Sequence, residues 1–479
     1  MLTSEYDTLD GLDLAALLNE RKVAPEELMQ CAIALARERA RGLNALCYER
    51  YEESLQLART ARLRGAFGAL PFLLKNSGLA STRFDSNMGS RLLKDIQFKF
   101  DATLVKRFEH AGLIPFARSH VPEFCMAPTT EAVVNGGATL NPWDPTRSAG
   151  GSSGGAAAAV AAGVVPIAHG NDGGGSIRIP ASCCGIYGLK PSRGRVPFGP
   201  ARGEGWGGLA VEGVLSRTVR DSAAALDAAG GDEPGAPYAA PPAPASYLAQ
   251  LSQPIPRPLR IAKWDGAWND ISIAPECLAA VGRAEALLRS LGHEVIETPP
   301  PPLDFAGFVE AHTKVLAANI VVLVNSVVKN RPIDEWQGEL EPAILDGYRL
   351  GRALSAEQYV CAIDSFHTVG RIIERHMSGF DIALTPTLTQ LPVPLGLINT
   401  NTDFRTFRRQ GSRYTTFLAI INASGQPAAS VPLHWTDTNL PVGIQLIGHF
   451  GREDQLLQLS GQLEAIAPWC GRRPSLTSC

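Results

Sequence analysis

From about residue 136 to 200 the chain is built largely of glycine, serine and alanine and carries little charge. Two runs inside it, GGSSGG at 150–155 and DGGGS at 172–176, set serines among glycines. Glycine opens backbone conformations closed to other residues and lets a neighbouring group come close. An alanine-rich segment follows the first run directly, so Ser152 and Ser153 lie at the amino end of a helix. Free amides and the helix dipole favour negative charge there. A flexible Gly/Ser linker has a similar composition, but a linker is not welded to an alanine helix. In the second run, the glycines before Ser176 allow several N–H groups to converge on one point, which is how backbone amides build an oxyanion hole. Asp172 and Arg178 flank them, placed to pair and stiffen the loop.

Other chemistries fit less well. A phosphate loop would end in GK[ST], which is missing here. Residues 150–154 match G-x-S-x-G, but the nucleophile elbow needs a buried strand before its serine, whereas NPWDPTRSA precedes this one. None of the nine histidines falls in a segment that pairs it with Ser176 for a Ser-His-Asp arrangement, although His169 lies close enough to the glycine loop to deserve inspection. No HExxH or paired CxxC spacing occurs, so no metal and no cofactor are expected. A net charge of -3 gives no polyanion-binding surface, and nucleic acid is not an expected partner.

The remaining chain alternates helices and strands without a fixed repeat, which predicts an α/β fold. The first 65 residues read as helices; GALPFLLKNSG then reads as a buried strand that ends on Lys75. Residues 229–258 are rich in proline and alanine and read as a surface connection. Strands are expected at LRIAKWD, HEVIE, FDIALTPTL, PAASVPL and PVGIQLIG, with a closing helix at REDQLLQLSGQLEAI. The start is acidic and lacks the regions of a signal peptide. No eighteen-residue window is uninterrupted apolar sequence, so no membrane span is expected. The nine cysteines are scattered, with Cys183 and Cys184 adjacent, which fits reduced thiols in a cytoplasmic protein.

GGSSGG, DGGGSIR and the downstream CGIYGLKPSRGRV resemble the amidase signature, and Ser152 and Ser176 stand twenty-four positions apart as in that family. PFLLKNSG is similar to the strand that carries the family's lysine, and NASGQPAASVPL and LPVGIQLIG to its carboxyl-terminal strands. The resemblance covers nearly the whole chain. It implies one amidase domain over 1–479, with a central twisted mixed β-sheet covered by helices on both faces. Its parts would be N-terminal helices (1–65), a catalytic core (66–228), the connection (229–258) and the rest of the sheet (259–479) with a helical insertion at about 304–378. It also implies roles: Ser176 as nucleophile, Ser152 behind a cis peptide as proton relay, Lys75 as base. Amides of Gly173, Gly174, Gly175 and Ser176 would form the oxyanion hole, and Ser153 would support the loop by hydrogen bonding. Lys75 must then be neutral, and burial lowers a lysine pKa in that direction.

The sequence departs from the family at two positions. Many members carry a bulkier residue in place of Gly173, a change expected to loosen the loop or enlarge the pocket, and a threonine in place of Asn171. Cys125 and Met126 match the part that lines the family's acyl pocket, and both are apolar, which suits an aliphatic or aromatic acyl group. AHGNDGGGSIRIPAS and the carboxyl-terminal helix are especially similar to the 6-aminohexanoate-cyclic-dimer hydrolases of the family. The expected activity is hydrolysis of a small apolar linear or cyclic amide. The alternative is the A-type subunit of a tRNA-dependent amidotransferase, which hydrolyses glutamine for partner subunits. Homodimers are common in the family, so a homodimer is an assembly open to this chain.

Overall fold

The run Leu70–Lys75 is apolar up to its last residue, and all six side chains are buried. In the computed structural model, which describes residues 1–94, 96–264 and 266–475, it lies in a small sheet of its own. β1 (Leu46–Cys47), β2 (Leu70–Lys75) and β3 (Leu113–Ser119) take the order β1-β3-β2. β2 runs parallel to β3, with Lys75 opposite Ser119, so the lysine stands at the carboxyl end of a two-strand parallel core. β1 is a two-residue strand within a region that reads as helical, too short for periodicity to reveal.

A short hairpin, β4 (Leu140–Asn141) and β5 (Asp144–Ser148), precedes the serine-rich run. The main sheet holds β6 (Ile167–Asp172), β7 (Tyr187–Lys190), β8 (Val211–Ser216), β9 (Arg260–Trp264), β10 (Glu294–Thr298), β11 (Ile382–Pro386), β12 (Ala428–Trp435) and β13 (Pro441–Gly448). Their order is β10-β9-β11-β13-β12-β7-β8-β6. The β10, β9 and β11 arm is parallel, and every other pairing is antiparallel. All eight residues of β13 and all five of β11 are buried, with no alternation. Strands covered by helices on both faces look like this, and the α/β sheet expected from the sequence is present. The five later strand candidates coincide with β9, β10, β11, β12 and β13.

The connection over 229–258 runs along the surface, yet its backbone is tied down. Arg107 donates from Nη1 to the carbonyls of Ala229 and Gly230, and Arg195 from Nη2 to that of Pro242. Arg195 is itself held by Glu453 at 3.1 Å, both buried. Three helices, Phe305–Val328, Pro342–Ala353 and Ala356–His376, make up the helical section near 304–378. Beneath them Trp264, Trp268, Phe305, Phe308, Phe366 and Phe417 form an apolar cluster separate from the main core. Phe305–Val328 is the one helix among the described residues with the length and composition to cross a membrane, and half of that window is buried inside the protein.

Candidate active site

Lys75 is fully buried, and its Nζ donates to Ser152 Oγ at 2.8 Å and to Asn171 Oδ1 at 2.6 Å. Burial pushes its pKa down; Cys125, Glu212 and Asp172 pull the other way without reversing the shift. The peptide between Gly151 and Ser152 is cis. The next residue, Ser153, donates its N–H to the carbonyl of Ser176 at 3.3 Å and its hydroxyl to that of Asn171 at 3.4 Å. The two serine runs are thereby laced together. Asn171, at the position where many of the resembling proteins carry threonine, fills the second acceptor place on the lysine.

Gly155 lets the serine-bearing helix sit against the small sheet. A Cβ at this position would lie 2.4 Å from the Ala45 carbonyl and from the His120 nitrogen. Only glycine lets the helix Gly154–Ala161 press its first turn onto the backbone beside β1 and β3. His169 adds a second tie. Its Nδ1 accepts from the N–H of Lys75 at 3.1 Å, which leaves Nε2 to donate to Glu212 Oε2 at 2.8 Å. Both ring nitrogens are thus engaged behind the lysine, and neither is directed to Ser176.

Asp172 and Arg178 do pair, through two bonds of 2.9 Å with neither side chain exposed. Burial alone would raise the Asp172 carboxyl, but the Arg178 guanidinium, with help from Lys190 and Asn422, holds the group well below the usual carboxylate range. Arg178 also reaches Gln445 on β13 and Asn422, both at 2.7 Å, so the glycine loop is pinned to the centre of the sheet. Asp172 further accepts the N–H of Gly175 at 2.7 Å. The N–H of Gly175, one of the four amides expected to face substrate, is therefore spent on the loop. Those of Gly173, Gly174 and Ser176 donate to no protein acceptor among the described residues.

The space beside Gly173 is filled. A Cβ there would stand 2.4 Å from the Trp206 ring, so the indole occupies the space that a side chain would take. Trp206 holds φ at +54°, in the left-handed region.

A pocket opens beside Ser176. Cys125 and Met126, expected there from the sequence, line it together with Gly174, Trp206 and residues from two helices, Phe305–Val328 and Phe404–Tyr414. Burial pushes the Cys125 thiol up, so it stays protonated beside Lys75 and Ser152. Trp206, Phe308, His312 and Arg408 are pocket residues that the sequence reading missed. Arg408 had a detectable signal. It falls on the same helical face as Phe404, Phe407 and Gly411, all buried, whereas its neighbours Arg405 and Arg409 are exposed. An arginine on the apolar stripe of a helix is out of pattern.

The family model described as Amidase matches residues 27–457. The chain is 33% identical over 481 residues to the 6-aminohexanoate-cyclic-dimer hydrolase of Paenarthrobacter ureafaciens, covering 98% of this chain and 96% of that protein. Identity to the protein of the same name from Pseudomonas sp. (strain NK87) is 34% over the same shares of the two chains. A solved structure of 6-aminohexanoate cyclic dimer hydrolase complexed with substrate matches with a TM-score of 0.92 and 32% identity, covering 98% of this chain and 99% of that one. The chain belongs to the amidase signature family and is an amide hydrolase.

Proposed function

We propose that the hydrolase works through an acyl-enzyme on Ser176, with Ser152 passing a proton between Ser176 and Lys75. The observation that carries this reading is the 2.8 Å bond from a buried, downshifted lysine to Ser152, itself sealed from solvent. A neutral amine there can take a proton, which an ordinary surface ammonium cannot. In the first half-reaction Ser176 Oγ adds to the amide carbonyl while its proton moves through Ser152 Oγ to Lys75 Nζ. The same proton returns to the departing nitrogen as the C–N bond breaks. Water then repeats the sequence on the acyl ester and releases the acid. The carbonyl oxygen, as it gains charge, is held by the free N–H groups of Gly173, Gly174 and Ser176.

Residues 1–479 act as one unit in this reading. The lysine comes from 70–75, the serines from 150–176, and the pocket from helices near 305 and 408. Cys125, Met126, Ile179, Phe308 and Leu316 give the pocket an apolar wall, which supports a small amide with an aliphatic or ring-containing part. Two of the similar relatives are named for a cyclic dimer of 6-aminohexanoate, an amide of this kind. Glutamine fits less well. Its ammonium would want an acidic partner, and none of the described residues lining the pocket is acidic.

Wild type and Ser176→Ala assayed on a panel of small aliphatic, aromatic and cyclic amides test the assignment. Turnover should fall below detection in the variant on every amide that the wild type accepts. Equal turnover by both proteins would remove Ser176 from the mechanism.

A further inference from the structure

Among the apolar side chains of the pocket stands a cation, Arg408, without an anion among the described residues. Arg408 donates from Nη1 to the Met126 carbonyl and from Nη2 to His312 Nδ1, both at 3.3 Å. Its buried Nε donates to nothing among the described residues. Among the described residues no acidic side chain pairs with it, and burial draws its pKa down to about 10, so it remains charged. A half-buried guanidinium whose Nε is sealed from solvent, with neither counter-charge nor full hydrogen bonding among the described residues, is costly unless something else supplies both.

His312 points to the same conclusion. A guanidinium can only donate, so Nδ1 of the ring accepts and the ring proton is assigned to Nε2. Burial first, and the charge of Arg408 second, hold this imidazole neutral, well below its ordinary pKa. Its Nε2 has no partner among the described residues, although only 4% of the residue is exposed. It lies over the glycine loop, 3.8 Å from where a Cβ on Gly174 would stand. Thr416 Oγ1 is a third buried polar atom without a partner on the same pocket.

We propose that Arg408 and His312 receive a carboxylate of the substrate, so that the preferred amide is linear and carries a free carboxylate beyond an apolar stretch from its scissile carbonyl. A neutral carbonyl would satisfy the same donors but leave the charge of Arg408 uncompensated, whereas a carboxylate does both. Met126, Ile179, Phe308 and Leu316 supply the apolar wall that methylenes between the two groups would cover. The proposal rests on the assignment of this pocket to the substrate of Ser176.

Two substrate pairs test it and show on which side of the amide the carboxylate lies. The monomethylamide of hexanedioic acid carries the charge on the acyl side, and N-acetyl-6-aminohexanoate on the amine side. Each is compared with its uncharged analogue ending in methyl. In at least one pair the wild type should prefer the carboxylate, and Arg408→Gln should cut that preference roughly 10–100-fold, mainly through KM. Arg408→Lys should retain part of it. Calorimetric titration of Ser176→Ala with the same four compounds gives a reading without turnover and without any change at Arg408. Preferential binding of a carboxylate, weakened by salt, supports the site even if the role of Ser176 fails. Equal binding and equal turnover within both pairs, or a preference that Arg408→Gln leaves intact, overturns the proposal.

Discussion

In the proposed mechanism the Lys75 nitrogen, in a sealed place, accepts and returns a proton, and its surroundings set when it can. If the neutral amine is the working form, kcat/KM falls as pH drops through the lysine pKa, with the midpoint of that acid limb below the ordinary lysine value. Asn171 offers a handle on that midpoint because its Oδ1 lies 2.6 Å from Nζ. A carboxylate at that distance favours the ammonium, so Asn171→Asp should raise the lysine pKa and move the acid limb to higher pH. A pH–rate profile reads this directly. A limb that stays in place, or moves to lower pH, would mean that Lys75 is not the base. The positions of the proposed triad could be picked out because glycine, serine and lysine appear in short, fixed strings. The partners of Lys75 other than Ser152 were not, since the Nδ1 of His169 and the Oδ1 of Asn171 matter only once β2 is laid against β6.

Among the elements, strands were easier to find than their neighbours. Continuous apolar runs such as PVGIQLIG announce a doubly covered strand, yet nothing in LPFLLK says that it pairs with Leu113–Ser119 in a separate sheet. Pairing is a long-range property, and the two strands are joined by nearly forty residues of loop and helix. The pocket was half legible for the same reason. Cys125 and Met126 sit close in sequence to familiar strings, whereas Trp206 reaches the glycine loop from a turn that periodicity does not describe. That contact yields a prediction about the loop as an element. Gly173→Ala would drive a methyl into the indole, and overpacking of this kind costs about 1–3 kcal/mol. Thermal unfolding should show the loss, and Trp206→Ala in the same chain should recover part of it.

Across the described residues, Arg178 is among the most connected of the buried charges. It joins the glycine loop through Asp172, the segment after Phe404–Tyr414 through Leu418 and Asn422, and the sheet centre through Gln445. Arg178→Met would leave the Asp172 carboxylate buried without its counter-charge, at a cost of about 3–5 kcal/mol. The urea midpoint should fall accordingly, and adding Asp172→Asn should restore part of the loss. If Arg178→Met unfolds at the wild-type midpoint, the pair is not a keystone of the fold.

The separation of β2 from the main sheet also bears on how the enzyme can fail. Lys75, the proposed base, and the serine it touches ride on two bodies that meet, among other contacts, through the close approach at Gly155 and the bonds from Lys75 to His169 and Asn171. A gap of an ångström or two at that seam would break the proton path while leaving every helix and strand intact. Catalysis in such a molecule is a gauge of how firmly two halves are clasped, and it can fall silent in a protein that still looks folded.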